Sequence, residues 1–262
     1  MLRPLPRRAL LLSTVALAVL PLAACGDDDR GGGSARPDVT IKVSAAASLK
    51  KALEGYQGHF AAATVAFSFA GSDELAAQIE QGVRPDVFAA ANTKLPDALH
   101  AKGLVGRPVR FATNRLVVAV PAEGGDVRSF ADLGRDGVSL AIGSPTVPVG
   151  AYTRTVLGRL SAARRKAIEG NVRSQEPDVA GVVGKLTQGA VDAGFVYRSD
   201  VRAAGGRLRE IAIPDALQPA VTYGVAVVAG APHRGQAQAF VDGLVGPDGQ
   251  AALRAAGLGP KP

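Results

Sequence analysis

Two serines, a tyrosine and two helix starts hold most of the chemistry open to this chain. Ser48 follows a β-branched run (VTIKV, 39–43) and the small residues Ala45, Ala46 and Ala47. The first N–H groups of a helix have no internal partner and carry partial positive charge. A serine at that point adds a hydroxyl donor, and small neighbours let a ligand approach the backbone, so such a junction can hold an anion without a charged side chain. The pattern recurs. Ser72 follows the apolar stretch FSFAG (67–71). In IGSPTVPVGAY (142–152), Pro148 and Gly150 shape a tight loop before a helix, and the donor is the backbone N–H of Val149. In QEPDV (175–179), Pro177 and Asp178 suit a helix start and leave the Val179 N–H at its open end. Tyr197 ends an apolar strand in FVYRSD (195–200). Taken singly, either serine is an ordinary helix cap worth about 1 kcal/mol, and the tyrosine is a rim or core residue satisfied by backbone. The two acids beside these junctions, Asp73 and Asp178, are expected to face solvent.

The elements that must position these groups alternate along the chain. Strands are expected over 39–43, 64–69, 86–90, 115–120, 139–142, 193–197, 209–213 and 221–228. Helices are expected over 48–60, 72–80, 95–101, 151–160, 162–169, 179–188, 236–244 and 249–256. This alternation predicts an α/β fold with mostly parallel sheets. Two long apolar stretches, RLVVAVP (115–121) and YGVAVV (223–228), are expected to be crossings between two lobes, the alternative being two central strands of a single sheet. Lobe I then spans 38–117 and 225–262, and lobe II spans 118–224.

Composition fits a globular protein: 262 residues, 47% hydrophobic and 20% charged. The net charge is +7, but Arg3, Arg7 and Arg8 lie in an N-terminal stretch without acids; setting those three aside leaves 27 basic residues against 23 acidic ones, a net of +4. No basic stripe with interleaved aromatics stands out, which argues against nucleic-acid binding. Residues 1–24 have the form of a secretion signal, with those arginines, an apolar stretch over 9–20 and a small-residue end, Leu22-Ala23-Ala24. The apolar stretch is too short to span a membrane, which takes about 20 residues. Cys25, the only cysteine, follows directly; no disulfide can form within the chain, and no thiolate metal site. Residues 25–37, glycine-rich and polar, suit a flexible tether.

The ordered set AAASL (45–49), FAGSDELAAQIEQG (69–82), PDVFAAA (85–91), VPVGAY (147–152), PDV (177–179) and GFVYRSD (194–200) resembles the molybdate/tungstate-binding proteins of bacterial ABC transporters, over nearly all of 39–258. Leu22-Ala23-Ala24-Cys25 likewise resembles the lipobox of bacterial lipoproteins, which implies lipidation of Cys25. The resemblance implies a periplasmic-binding-protein fold of type II: two α/β lobes, two hinge-crossing strands and an oxyanion in the cleft. Carried over residue by residue, the ligand is held by Ser48 and Ser72, by the N–H groups of Val149 and Val179, and by the Tyr197 hydroxyl, all reaching the oxygens of molybdate rather than the metal. The chain departs from the family pattern at Ser144, where an acid is usual, at Val149, where alanine is commoner, and at Gly71 and Asp73, which stand where small hydroxyl residues are frequent. Molybdate and tungstate are fully deprotonated near neutral pH, so a donor-only site matches them, whereas phosphate keeps a proton and benefits from an acceptor.

The expected protein is therefore an extracytoplasmic, monomeric capture protein without a cofactor, anchored to the membrane only through lipid on Cys25 and delivering its ligand to the permease subunits of an ABC importer. Sulfate or phosphate is the alternative ligand. A hydrolase is the remote alternative: there is no Gly-x-Ser-x-Gly elbow, and His59, His100 and His233 lie outside every junction. A cytoplasmic sensor domain conflicts with the leader and Cys25.

Overall fold

The computed structural model describes residues 38–262; the leader, Cys25 and the tether lie outside the described residues. The strands form two five-stranded sheets of matching topology. The first has the order β2-β1-β3-β10-β4, with β1 at Thr40–Ala46, β2 at Thr64–Ala70, β3 at Val87–Ala90, β4 at Val109–Asn114 and β10 at Val221–Val227. The second has the order β7-β6-β8-β5-β9, with β5 at Leu116–Pro121, β6 at Leu140–Gly143, β7 at Val172–Glu176, β8 at Ala193–Tyr197 and β9 at Leu208–Ala212. In each sheet three strands run parallel and a long apolar strand joins antiparallel, β10 against β3 and β5 against β8. The sheets are thus mixed rather than mostly parallel. The parallel part is the part that matters for function, because ligands of open α/β sheets gather at the carboxyl ends of such strands.

Among the described residues, the eight expected helices are present with shifted ends, and a short one over Arg198–Ala203 was not expected. They are α1 (Lys50–Gln57), α2 (Ser72–Glu80), α3 (Lys94–Ala101), α4 (Pro148–Gly158), α5 (Ala162–Gly170), α6 (Val179–Thr187), α7 (Arg198–Ala203), α8 (Arg234–Val245) and α9 (Pro247–Ala255). Two of them show the apolar stripe at helical spacing clearly: Leu75, Ala76 and Ile79 are buried in α2, and Val179, Val182 and Leu186 in α6.

The two long apolar strands are not the crossings. Leu116–Pro121 lies wholly in the second sheet and Val221–Val227 wholly in the first. Both sit inside a sheet with a neighbour on either side, which is why they read as continuous apolar runs. The chain passes between the sheets at Asn114-Arg115-Leu116 and returns through the irregular stretch 213–220. The two crossings are tied together. Arg115 pairs with Asp215 at 2.6 Å, and the Gln218 side-chain amide donates to the Leu116 carbonyl at 2.8 Å.

Candidate functional site

Ser48 and Ser72 both sit at junctions where a parallel strand gives way to helix, but neither is a cap. A 3-10 turn, Ala47–Leu49, separates β1 from α1, and Ser48 lies inside it. Its Oγ is 3.0 Å from the Tyr223 hydroxyl, across the sheet on β10. Ser72 is the first residue of α2, with Gly71 before it, and its Oγ accepts the Ala91 N–H at 3.1 Å from the end of β3. With that acceptor role filled by a backbone N–H, which can only donate, the Ser72 proton is left for another partner.

The second lobe supplies backbone donors. Gly143 at the end of β6 and Gly150 in the first turn of α4 permit an approach that no side chain allows: a methyl on Gly150 would meet the Ser144 and Gly143 carbonyls, and one on Gly143 would lie 2.6 Å from the Val149 side chain. Pro148 starts the helix without needing an N–H, and the Val149 N–H is one of the first-turn groups without an intrahelical acceptor. In α6 the Asp178 side chain caps the helix by accepting the Gly181 N–H at 2.9 Å, leaving the Val179 N–H at the open end.

Tyr197, the last residue of β8, is 1% exposed, and its hydroxyl is a buried polar atom with no hydrogen-bond partner among the described residues. Burial foremost, then the nearby Tyr223, Tyr152 and Asp200, holds its pKa well above the usual phenol value, so it remains an O–H donor.

These five groups converge. Ser48, Ser72, Val149, Val179 and Tyr197 line one cavity together with Ala46, Ala47, Ala70, Gly71, Val147, Pro148 and Asp178. The space open to the centre of a water-sized sphere is about 20 Å3. A single water takes about 10–15 Å3 on that measure, so the cavity admits a compact ligand of a few atoms and nothing as large as a sugar. A wider groove of about 900 Å3 lies on the first lobe, lined by Asp97, Arg107, Arg110 and Arg234 among others. It mixes both signs of charge, and none of the buried polar atoms left without a partner belongs to it. The small cavity is where unspent donors collect.

Neither acid simply faces solvent. Asp178 is half-buried at the cavity, held to its own helix by the cap bond. Asp73 is also half-buried, with Oδ1 enclosed and without a partner among the described residues, close beside Gly71. Gly71 itself has no room for a side chain, because an added methyl would lie 2.6 Å from the Pro177 carbonyl oxygen. That contact accounts for glycine at this position.

Sequence reasoning missed the layer behind the cavity. Asn114 donates to the Ser199 hydroxyl at 2.9 Å and to the Tyr223 hydroxyl at 3.1 Å, and the Asp200 carboxylate accepts the Tyr197 N–H at 2.8 Å. The rings of Tyr197 and Tyr223 meet edge-on, 5.9 Å apart. Asn114 ends a strand that the sequence pattern did not mark; its only signal was a polar residue just before the long apolar run. Among the described residues, no group of three or more His, Cys, Asp or Glu is placed to hold a metal ion, and no helix is long and apolar enough to cross a membrane.

Comparisons with known proteins bear on the family and the fold. The model of the bacterial extracellular solute-binding protein family matches residues 41–259. The molybdate-binding protein ModA of Mycobacterium tuberculosis is 36% identical over 252 residues, covering 93% of this chain and 94% of that protein. The putative ABC transporter substrate-binding lipoprotein YvgL of Bacillus subtilis is 30% identical, covering 87% of this chain and 88% of that protein. The periplasmic molybdate-binding protein of Azotobacter vinelandii superposes with a TM-score of 0.75 at 24% identity, covering 83% of this chain and 98% of that one, which places both in one fold. With two lobes of matching topology around a donor-lined cavity, the chain belongs to the bacterial extracellular solute-binding protein family.

Proposed function

We propose that this protein captures molybdate, and with it tungstate, between its lobes and delivers it to the permease subunits of an ABC importer. The observation that carries this is the buried Tyr197 hydroxyl, which has no partner among the described residues and lines a cavity with two serine hydroxyls and two helix-start N–H groups. Burying a hydroxyl without a partner costs about 1–3 kcal/mol, and a bound oxyanion removes that cost. Every one of these groups donates. A fully deprotonated tetrahedral anion only accepts, so four oxygens and five donors are complementary, and charge-assisted bonds of this kind are among the strong ones. The name of the mycobacterial relative supports the same ligand. Closure of one lobe on the other around the anion excludes water and strengthens each bond.

Delivery from outside the cell agrees with the leader over 1–24 and with Cys25 at its end, where lipidation would tether a monomer to the membrane through residues 25–37. The Bacillus relative is named a lipoprotein. Nothing in the cavity suggests catalysis: no histidine lines it, and its one carboxylate is committed to a helix cap.

Calorimetry of residues 38–262 with molybdate, tungstate, sulfate and phosphate tests this. Tight binding of molybdate or tungstate with little for sulfate is expected, because cavity size separates these dianions. Binding of phosphate alone would mean that Asp178 serves as an acceptor, and would overturn the assignment.

A further inference from the structure

The hydrogen bonds behind Ser48 have only one consistent direction. The Arg115 N–H points at Asn114 Oδ1 at 2.9 Å. A backbone N–H can only donate, so that atom is the amide oxygen, and the Asn114 nitrogen must face the other way, toward Tyr223 and Ser199. Asn114 Nδ2 therefore donates to Tyr223 Oη at 3.1 Å. The Tyr223 proton then needs an acceptor, and the only other partner within hydrogen-bond distance among the described residues is Ser48 Oγ at 3.0 Å. Tyr223 is fully buried, and burial first of all holds its pKa above the ordinary phenol value, so the proton is present at any physiological pH. Ser48 in turn cannot give its own proton to Tyr223, and among the described residues no other acceptor lies within hydrogen-bond distance of its Oγ. That proton is left for the cavity.

We propose that Asn114 and Tyr223 are positioning residues that form a one-way relay, Asn114 to Tyr223 to Ser48, fixing the Ser48 hydroxyl as a donor to the bound oxyanion and so selecting anions without a proton. The inference rests on the oxyanion-capture function proposed above. A serine hydroxyl that is free to turn can offer a lone pair to a protonated anion. One held as the last link of a donor chain presents hydrogen, and each link polarises the next. The relay also spans the place where the lobes meet. Asn114 ends β4 in the first lobe, Tyr223 lies on β10 of the same lobe, and the second N–H of Asn114 is spent on Ser199 in the opposite lobe. The donor direction at Ser48 is thus set by a residue at the crossing itself, outside the cavity wall.

The test is a double-mutant cycle read by calorimetry with molybdate and inorganic phosphate near pH 7. Tyr223→Phe keeps the buried ring and removes only the relay hydroxyl. It is expected to weaken molybdate about tenfold and to narrow the ratio of molybdate to phosphate affinity. In a Ser48→Ala background the same substitution should change molybdate affinity less than twofold, because no hydroxyl remains to be aimed; a merely structural role for Tyr223 would not vanish there. Urea unfolding without ligand verifies that each variant folds, and Asn114→Asp, which has no N–H to give, should reproduce the loss of discrimination. Equal losses in both backgrounds, or unchanged molybdate affinity in Tyr223→Phe, would overturn the relay while leaving oxyanion capture intact. Wild-type protein that binds neither molybdate nor tungstate overturns the functional reading, and the relay falls with it.

Discussion

A methyl group on Gly71 would lie 2.6 Å from the carbonyl oxygen of Pro177. Gly71 ends the first lobe's β2 junction and Pro177 precedes α6 in the second, so this is a point where the lobes touch at the cavity mouth. Backbone cannot yield there as a flexible side chain can. Gly71→Ala is therefore expected to hold the lobes apart and weaken molybdate binding by at least tenfold, with a much smaller effect on the unfolding of ligand-free protein. Wild-type affinity in this variant, measured by calorimetry, would show that closure does not need this contact.

Tyr197→Phe separates function from stability in opposite directions. The hydroxyl is buried and has no partner among the described residues, and removing such a group is neutral or favourable for folding. Thermal unfolding without ligand should show an unchanged or raised Tm. Molybdate affinity should fall by about 1–3 kcal/mol, since a buried bond to a charged ligand is lost. A lowered Tm with full affinity would remove Tyr197 from the site.

Ser48→Ala and Ser72→Ala should each weaken binding by about 1–3 kcal/mol. They differ in what else they break. Ser72 also receives the Ala91 N–H, so its loss leaves a buried backbone donor unpaired and should lower stability measured by urea titration. If the two variants lost no affinity in calorimetry, the cavity would not be the ligand site.

Val149→Ala is expected to do the reverse. In the proposed site the ligand meets only the Val149 backbone, while its side chain is 2% exposed and packs on Gly143. Truncation should cost about 1 kcal/mol of folding stability or somewhat more and little affinity. An affinity loss as large as that of Ser48→Ala would contradict the backbone assignment.

Asp200 gives the protein a pH signature. Its carboxyl is pushed up from 3.8 to about 7, chiefly by burial, with the Tyr197 N–H opposing and the charge of Asp178 adding. The folded chain keeps this proton at pH values where the unfolded chain has released it. The group's contribution to stability is complete below about 3.8 and is lost as the pH rises to about 7. Asp200→Asn keeps an oxygen for the Tyr197 N–H and cannot ionise. Its urea stability relative to wild type should therefore improve steadily between pH 4 and pH 7, by about 1.4 kcal/mol per pH unit at most. Parallel stability curves would show that Asp200 ionises normally.

The sequence by itself determined the junctions. Small residues, prolines and a lone apolar-to-polar break mark where strands end and helices begin, because those residue types act through local backbone geometry. Ser48, Ser72, Val149, Val179 and Tyr197 were all legible for that reason, and each lies at the carboxyl end of a parallel strand or the start of the helix that follows. The polar strand Val172–Glu176 was not legible, since it lies at a sheet edge and its side chains alternate between partly covered and exposed. Val109–Asn114 was hidden too, beside a longer apolar run that drew the crossing to the wrong place.

What only the tertiary structure decided is what each junction does. Locally, Ser48 and Ser72 look like helix caps. They are not, because Tyr223, 175 residues further on, and Ala91 take up the oxygen of each hydroxyl and leave the proton free. Likewise the size of the cavity follows from the approach of Gly71 to Pro177 across the cleft, a distance that no spacing along the chain encodes. Hydrogen-bond direction and cavity volume are properties of groups brought together by folding, and in the proposed function they set which anion fits.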